Sequence, residues 1–204
     1  MDELQIKLFF NNKKKFNNNK QSMSDYFKDN KTFKDVFWGV YAMDEFQEIN
    51  LKNYRKCLIV FNTVKRNERK LGHWLALYSI LTQDGLMNVT FIDSFGLKMS
   101  CYGAGLSSYI KKYVPFIKKF QYNDFPLQSP NSYVCGAFIC FISSKLVAGA
   151  EISAINRKFF KKFDRKFNDG VVVRFVKKHW YKSYCSHEFC PMQTYNEKCF
   201  KCRC

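Results

Sequence analysis

The stretch QSPNSYVCG, residues 128–136, sets a side-chain amide seven residues ahead of a Cys-Gly pair that opens an apolar, helix-like run. A nucleophilic thiol needs a lowered pKa, a base to take its proton, and donors for the oxyanion it creates. At a helix N-terminus, Cys135 gains thiolate stability from the positive end of the dipole. Gln128, returning across the loop, is placed to donate its amide N–H to the oxygen that the Cys135 backbone N–H also addresses. Gly136 has no β-carbon and leaves that backbone open to a substrate. An isolated Cys-Gly is far more often a buried cysteine at an ordinary helix start. The partners upstream therefore decide the matter.

With only three histidines in the chain, the search for a base is short. His73 opens a strand-like run and is followed by Trp74, whereas His179 and His187 lie near the C-terminal end. Asp93 closes a second strand-like run, in FIDSFG (91–96). Antiparallel pairing brings His73 and Asp93 side by side, where the carboxylate holds the imidazole tautomer that faces Cys135. Singly, a strand-end Asp is usually a turn former and a His-Trp pair usually core packing. The ordered set His73, Asp93, Gln128 and Cys135-Gly136 is specific. It is the set that nucleophilic thiol catalysis uses, and that chemistry requires no metal or other cofactor.

Around that set the chain reads as α+β, a central sheet with helices following it. FWGVY (37–41) is a short buried piece, and CLIVFNTV (57–64) is β-branched and apolar, as a buried strand should be. HWLALYSIL (73–81) and MNVTFI (87–92) are two strands joined by TQDG (82–85), whose Asp-Gly is a hairpin signal. Residues 106–119 carry apolar positions at helical spacing, interrupted by Pro115, and 120–125 reads as another strand. CGAFICFISSKLVAGA (135–150) is apolar nearly all round, as expected of a helix buried between layers. Residues 155–167 place Phe159, Phe160, Phe163 and Phe167 on one face of a basic amphipathic helix. NNKKKFNNNK (11–20) is of low complexity and reads as a mobile or surface segment. The expected organisation is a catalytic domain over 1–184, with 1–24 as a mobile N-terminal segment, and a Cys-rich tail over 185–204.

Over roughly residues 35–180 the chain resembles the adenovirus maturation protease (adenain) family, shared with virophages and Maverick/Polinton elements. The resemblance rests on FWGVY (37–41), IVFNT (59–63), GHW (72–74), DSFG (93–96) and QSPNSYVCG (128–136). It implies a central mixed β-sheet flanked by helices, the fold shared with proteases of ubiquitin-like modifiers. It also implies a cysteine endopeptidase with His73 as general base, Asp93 as its orienting carboxylate, Gln128 as oxyanion donor and Cys135 as nucleophile. Modifier proteases usually set the Gln closer to the Cys and place an Asp before it. Here the spacing is seven and Val134 precedes Cys135, which favours the viral branch. The implied substrates are viral capsid and other virion precursor proteins, cut during maturation after small or Gly-containing sites, with DNA as an activator. Adenoviral members carry a peptide-linked Cys about eleven residues before the Gln; Ile117 stands there and Cys101, the nearest candidate, is poorly placed, so the resemblance to the activating-peptide site stops short of its cysteine. The Lys- and Asn-rich composition leans towards the virophage or Polinton side.

Thirty-four Lys and Arg against 17 Asp and Glu give a net charge of +17. A charge so large repels itself and points to a polyanion partner. The candidate DNA-binding residues are Arg157, Lys158, Lys161, Lys162, Arg165, Lys166, Lys177 and Lys178, in a segment with two acids, Asp164 and Asp169. The alternatives are a protease of ubiquitin-like modifiers, or a basic DNA-binding virion protein with a vestigial site. Nine cysteines, an odd number, rule out a complete disulfide framework. Cys185, Cys190, Cys199, Cys202 and Cys204, with His187, have the ligand types of a zinc site, but their spacing fits no standard finger. Labile disulfides or free thiols are the other readings. The longest apolar stretch, 134–142, is too short to span a bilayer, and acids stand where a signal peptide needs bases. The expected location is the virion and the host-cell interior, without secretion.

Overall fold

The structure is a computed structural model and describes residues 16–45, 49–68, 72–123 and 125–184. Five strands form one sheet in the order β1-β2-β3-β4-β5. They are β1 (Phe37–Tyr41), β2 (Lys56–Asn62), β3 (Trp74–Leu81), β4 (Met87–Asp93) and β5 (Ile117–Tyr122). The three central strands pair antiparallel, and β1 and β5 run parallel to their neighbours β2 and β4. Five α-helices among the described residues surround them: α1 (Phe16–Asp29), α2 (Ala104–Lys111), α3 (Cys135–Val147), α4 (Ile152–Phe159) and α5 (Arg165–Tyr184). The α+β class and the central mixed sheet flanked by helices are those expected.

Both faces of the sheet are covered, which is why its middle strands read as unbroken apolar runs rather than alternating ones. Leu58, Val60, Trp74, Ala76, Tyr78 and Ile92 point into one core, with α1, α3 and α5. Their neighbours Cys57, Ile59, Phe61, Leu75, Leu77, Val89 and Phe91 point into the other, under α2. The hairpin between β3 and β4 turns at 82–85, where the Gly85 N–H donates to the Thr82 carbonyl at 3.1 Å. Gly85 takes φ of +76°, which its lack of a β-carbon allows.

Several expectations are corrected. Residues 106–119 do not form one helix: α2 ends at Lys111, Pro115 sits in a 3₁₀ turn (Val114–Phe116), and β5 begins at Ile117. Proline has no N–H to give and its ring strikes the preceding turn, so the helix cannot run through it. The strand expected over 120–125 accordingly starts earlier and stops at Tyr122.

The single amphipathic helix over 155–167 is two helices, α4 and α5, with a bend at 160–164. Asn168 enforces the bend: its Oδ1 accepts the Lys161 N–H at 2.7 Å and its Nδ2 donates to the Lys161 carbonyl at 2.9 Å. A side chain that satisfies both backbone groups offers the chain an alternative to the helix ladder. The four phenylalanines therefore do not share a buried face, since Phe160 is 7% exposed and Phe163 is 93% exposed.

The low-complexity segment enters α1 at Phe16. Further along that helix Met23, Tyr26 and Phe27 are buried, with Phe27 stacked on Phe37 of β1 at 4.9 Å. The Cys-rich tail lies outside the described residues.

Candidate active site

His73 immediately precedes β3, and its backbone is fixed on both sides by one residue. The His73 N–H donates to Thr63 Oγ1 at 2.8 Å, and the Thr63 N–H donates to the His73 carbonyl at 2.9 Å. Asn62 closes the same corner by accepting the Val64 N–H at 3.1 Å. A β-carbon on Gly72 would lie 1.6 Å from Asn62 Oδ1, so only glycine fits before His73 unless that amide moves. The hairpin register pairs Leu75 with Asp93, which makes His73 a diagonal neighbour of Asp93 on the same face.

The two side chains meet, His73 Nε2 to Asp93 Oδ1 at 2.6 Å. Asp93 is 1% exposed, and its carboxylate also accepts the Phe95 N–H at 2.9 Å, the Leu97 N–H at 2.8 Å and the Tyr102 hydroxyl at 2.8 Å. These donors compensate the burial of a charge and fix both carboxylate oxygens. The turn that supplies them needs Gly96, with φ of +66°. A β-carbon there would lie 2.5 Å from the Phe125 backbone. Phe95 stacks on the imidazole at 4.5 Å, with Tyr102 nearly parallel to it at 6.1 Å.

With Nε2 committed to Asp93, Nδ1 is the nitrogen left for the hydrogen bond to the Cys135 side chain. Burial, the largest influence, pulls the imidazole towards its neutral form. The hydrogen bonds to Asp93 and Cys135, and the charges of both, outweigh it and lift the pKa from 6.5 to about 9. Burial, and then the Asp93 charge, hold the Tyr102 phenol far above its ordinary value, so it stays a donor. Cys135 is the first residue of α3 and is 4% exposed. Val134 at the N-cap provides no side-chain cap, so the opening N–H groups of α3 have no cap competing for them. Burial pushes the Cys57 thiol up to about 12 and that of Cys140 well above its ordinary value.

Gln128 is 1% exposed and held at both ends of its amide. Its Oε1 accepts the Ser94 hydroxyl at 2.7 Å, and its Nε2 donates to the Ser132 carbonyl at 2.6 Å. The backbone N–H groups of Leu127 and Gln128 both donate to the Ser94 carbonyl, at 2.8 and 2.9 Å. One amide hydrogen is thus spent on Ser132, and a primary amide has two. Asn123 locks the same junction, accepting the Asp93 N–H at 3.1 Å and donating to the Asp93 and Phe125 carbonyls.

The structure therefore joins His73 to Asp93 by direct contact, sets Cys135 where its charge acts on the same imidazole, and ties Gln128 to Ser94, the residue after Asp93. Thr63, Ser94, Tyr102 and Asn123 escaped the reading of the sequence. Ser94 lies inside the quoted DSFG and Thr63 at the end of IVFNT, but polar residues at strand ends look like turn formers. His179 lies on α5, with Nδ1 against the carbonyl of Phe175 at 2.8 Å.

Of the basic residues, Arg157 and Lys158 lie on α4, Lys161 and Lys162 in the bend, and Arg165, Lys166, Lys177 and Lys178 on α5. All are exposed except Arg165 and Lys177, which are half-buried. Among the described residues no group of His, Cys, Asp and Glu is arranged to hold a metal ion. Cys185, His187, Cys190, Cys199, Cys202 and Cys204 lie outside them. No helix among the described residues is long and apolar enough to cross a membrane.

No protein-family model and no curated protein matches the sequence. Solved structures do resemble the fold. The ASFV pS273R protease superposes with a TM-score of 0.51 at 10% identity, over 73% of this chain and 65% of its own. The Rickettsia bellii effector protein RickCE follows at 0.47 and 17%, over 75% of this chain and 54% of its own. The C-terminal Ulp1 protease domain, in complex with the yeast SUMO ortholog Smt3, gives 0.43 and 13%, over 76% and 74%. The chain thus spans about two thirds of the ASFV protease and about half of the Rickettsia protein. At these identities the likeness is one of fold, and the fold is that of the ASFV protease.

Proposed function

We propose that the protein is a cysteine endopeptidase with Cys135 as nucleophile, His73 as general base and acid, Asp93 as the carboxylate that orients His73, and Gln128 as oxyanion donor. The observation that carries this is the single imidazole bonded to a buried carboxylate at 2.6 Å, with the Cys135 side chain raising the pKa of the same ring. The raised pKa of His73 favours the imidazolium that a thiolate partner needs. The Cys135 sulfur adds to the scissile carbonyl carbon, and the carbonyl π electrons move to oxygen. That oxyanion is received by the Cys135 N–H and the second Gln128 amide hydrogen. Collapse expels the amine, which takes the proton from His73. Water, deprotonated by His73, then attacks the thioester; its collapse releases the acid and restores the thiolate and imidazolium.

The substrates in this reading are virion and capsid precursor proteins, cut at small or Gly-containing sites during particle maturation inside the infected cell. The support is the set of motifs shared with the adenain family, the seven-residue spacing from Gln128 to Cys135, and the fold held in common with the ASFV protease. DNA is the proposed activator and partner. The exposed cations of α4, the bend and α5 are suited to phosphates. Incubation with virion precursor proteins, followed by N-terminal sequencing of the products, tests the proposal. New N-termini after small residues, absent with Cys135→Ala, are expected. Cleavage confined to a ubiquitin-like-modifier fusion would replace the substrate class.

A further inference from the structure

We propose that the bend between α4 and α5 is a stacking platform for single-stranded nucleic acid, with Phe163 as the ring on which a base lies. The inference rests on the nucleic-acid reading above and deepens it. Phe163 is 93% exposed, the most exposed of the large apolar side chains described. Phe167 beside it is 38% exposed.

The bend is not loose. Asn168, fully buried, takes both backbone groups of Lys161 and also donates to the Leu127 carbonyl at 3.1 Å. Asp164 accepts the Phe167 N–H at 3.0 Å and so caps α5. Phe163 is therefore held out on a fastened knuckle, and little ordering entropy remains to be lost when a ligand stacks on it.

Positive charge lies beside the ring and along its segment. Lys161, Lys162 and Lys166 are exposed, with the Lys162 ammonium 5.7 Å from the Phe163 centroid and that of Lys161 4.2 Å from the Phe167 centroid. The two acids of the segment face backbone N–H groups: Asp164 as above, and Asp169 towards the Ser129 N–H at 3.3 Å. An exposed flat ring with an ammonium group beside it, in a segment of exposed lysines, matches the alternation of base and phosphate along a single strand. Duplex bases are already stacked and offer such a ring nothing. A bilayer surface calls for a wide apolar helix face, and the exposed neighbours of Phe163 are largely lysines.

Anisotropy of a labelled oligo-dT of about 16 nucleotides, the upper end of common site sizes, tests this on the full chain. Phe163→Ala should weaken oligo-dT binding by about 5- to 150-fold, the effect of one base–aromatic stack, and leave the salt slope unchanged. Phe163→Trp should bind at least as well as the wild type. Lys161→Glu with Lys162→Glu should flatten the salt slope. Duplex binding and basal peptide cleavage should not respond to Phe163→Ala. Salt-sensitive binding of oligo-dT indifferent to Phe163→Ala overturns the platform alone. Binding of neither oligo-dT nor duplex overturns the nucleic-acid reading with it. Recruitment to phosphatidylserine vesicles that depends on Phe163, with oligo-dT binding unaffected, assigns the knuckle to membranes instead and also overturns the proposal.

Discussion

Ser94→Ala is the substitution that separates positioning from chemistry at this site. It removes one oxygen from a fully buried residue and leaves the Ser94 carbonyl, which accepts the N–H groups of Leu127 and Gln128, in place. The loop therefore keeps its backbone course, while Gln128 Oε1 loses the 2.7 Å bond that tells the amide which way to face. Stranding a buried carbonyl costs about 1–3 kcal/mol. Part of that penalty is relieved if the amide rotates, and rotation moves its free hydrogen off the oxyanion. Complete loss of one oxyanion donor costs on the order of 10²–10³ in kcat. An amide that is present but misdirected part of the time should cost about 10-fold, below that ceiling. The assay is steady-state cleavage of a precursor peptide by wild type, Ser94→Ala, Gln128→Ala and the double variant. KM should hold, kcat should fall, and Ser94→Ala should add nothing once Gln128 is alanine. The pH profile of Cys135 alkylation should be unchanged, because the His73–Asp93 pair is untouched. Effects of the two substitutions that multiply in the double variant, or wild-type kcat in Ser94→Ala, would mean that Ser94 does not position Gln128.

Gln128→Ala should leave a folded enzyme with kcat reduced on the order of 10²–10³, and Asp93→Asn should reduce kcat less than His73→Ala does; circular dichroism and peptide kinetics check both. His73 has a folded pKa raised from 6.5 to about 9, so its charge stabilises the fold fully below about pH 6.5 and that contribution is lost as pH rises through about 9. Urea melts should accordingly show the stability gap between wild type and His73→Ala shrinking across that window. Gly96→Ala puts a β-carbon against the Phe125 backbone at a φ of +66°. Thermal melts should show a loss of at least ~1–3 kcal/mol, with activity falling further because the turn that donates to Asp93 is displaced.

The site was legible in the sequence because its members sit at the ends of strongly patterned elements. His73 and Asp93 flank the two strands of a hairpin whose Asp-Gly turn fixes the register, and Cys135 opens a helix apolar on every side. What the pattern could not give is the polar scaffold. Thr63, Ser94, Tyr102 and Asn123 act through bonds between distant segments, and nothing local marks a serine or asparagine as one half of such a pair. The break between α4 and α5 was hidden for the same reason. Residues 155–167 carry a helical period, but Asn168, just beyond that window, folds back on Lys161 and ends the helix early. Pro115 was visible as an interruption, yet periodicity alone could not say that a strand edge follows it.

Acyl transfer in this mechanism passes through Cys135, where the acyl-enzyme can be trapped. Brief reaction with an acyl-Gly-Gly nitrophenyl ester, acid quench and peptide mapping by mass spectrometry locate the acyl group. The adduct should sit on Cys135 in the wild type and in Cys140→Ala, and should fail to accumulate in His73→Ala. An adduct on Cys101 or on a cysteine of the 185–204 tail, or undiminished peptide cleavage by Cys135→Ala, would mean that Cys135 is not the nucleophile.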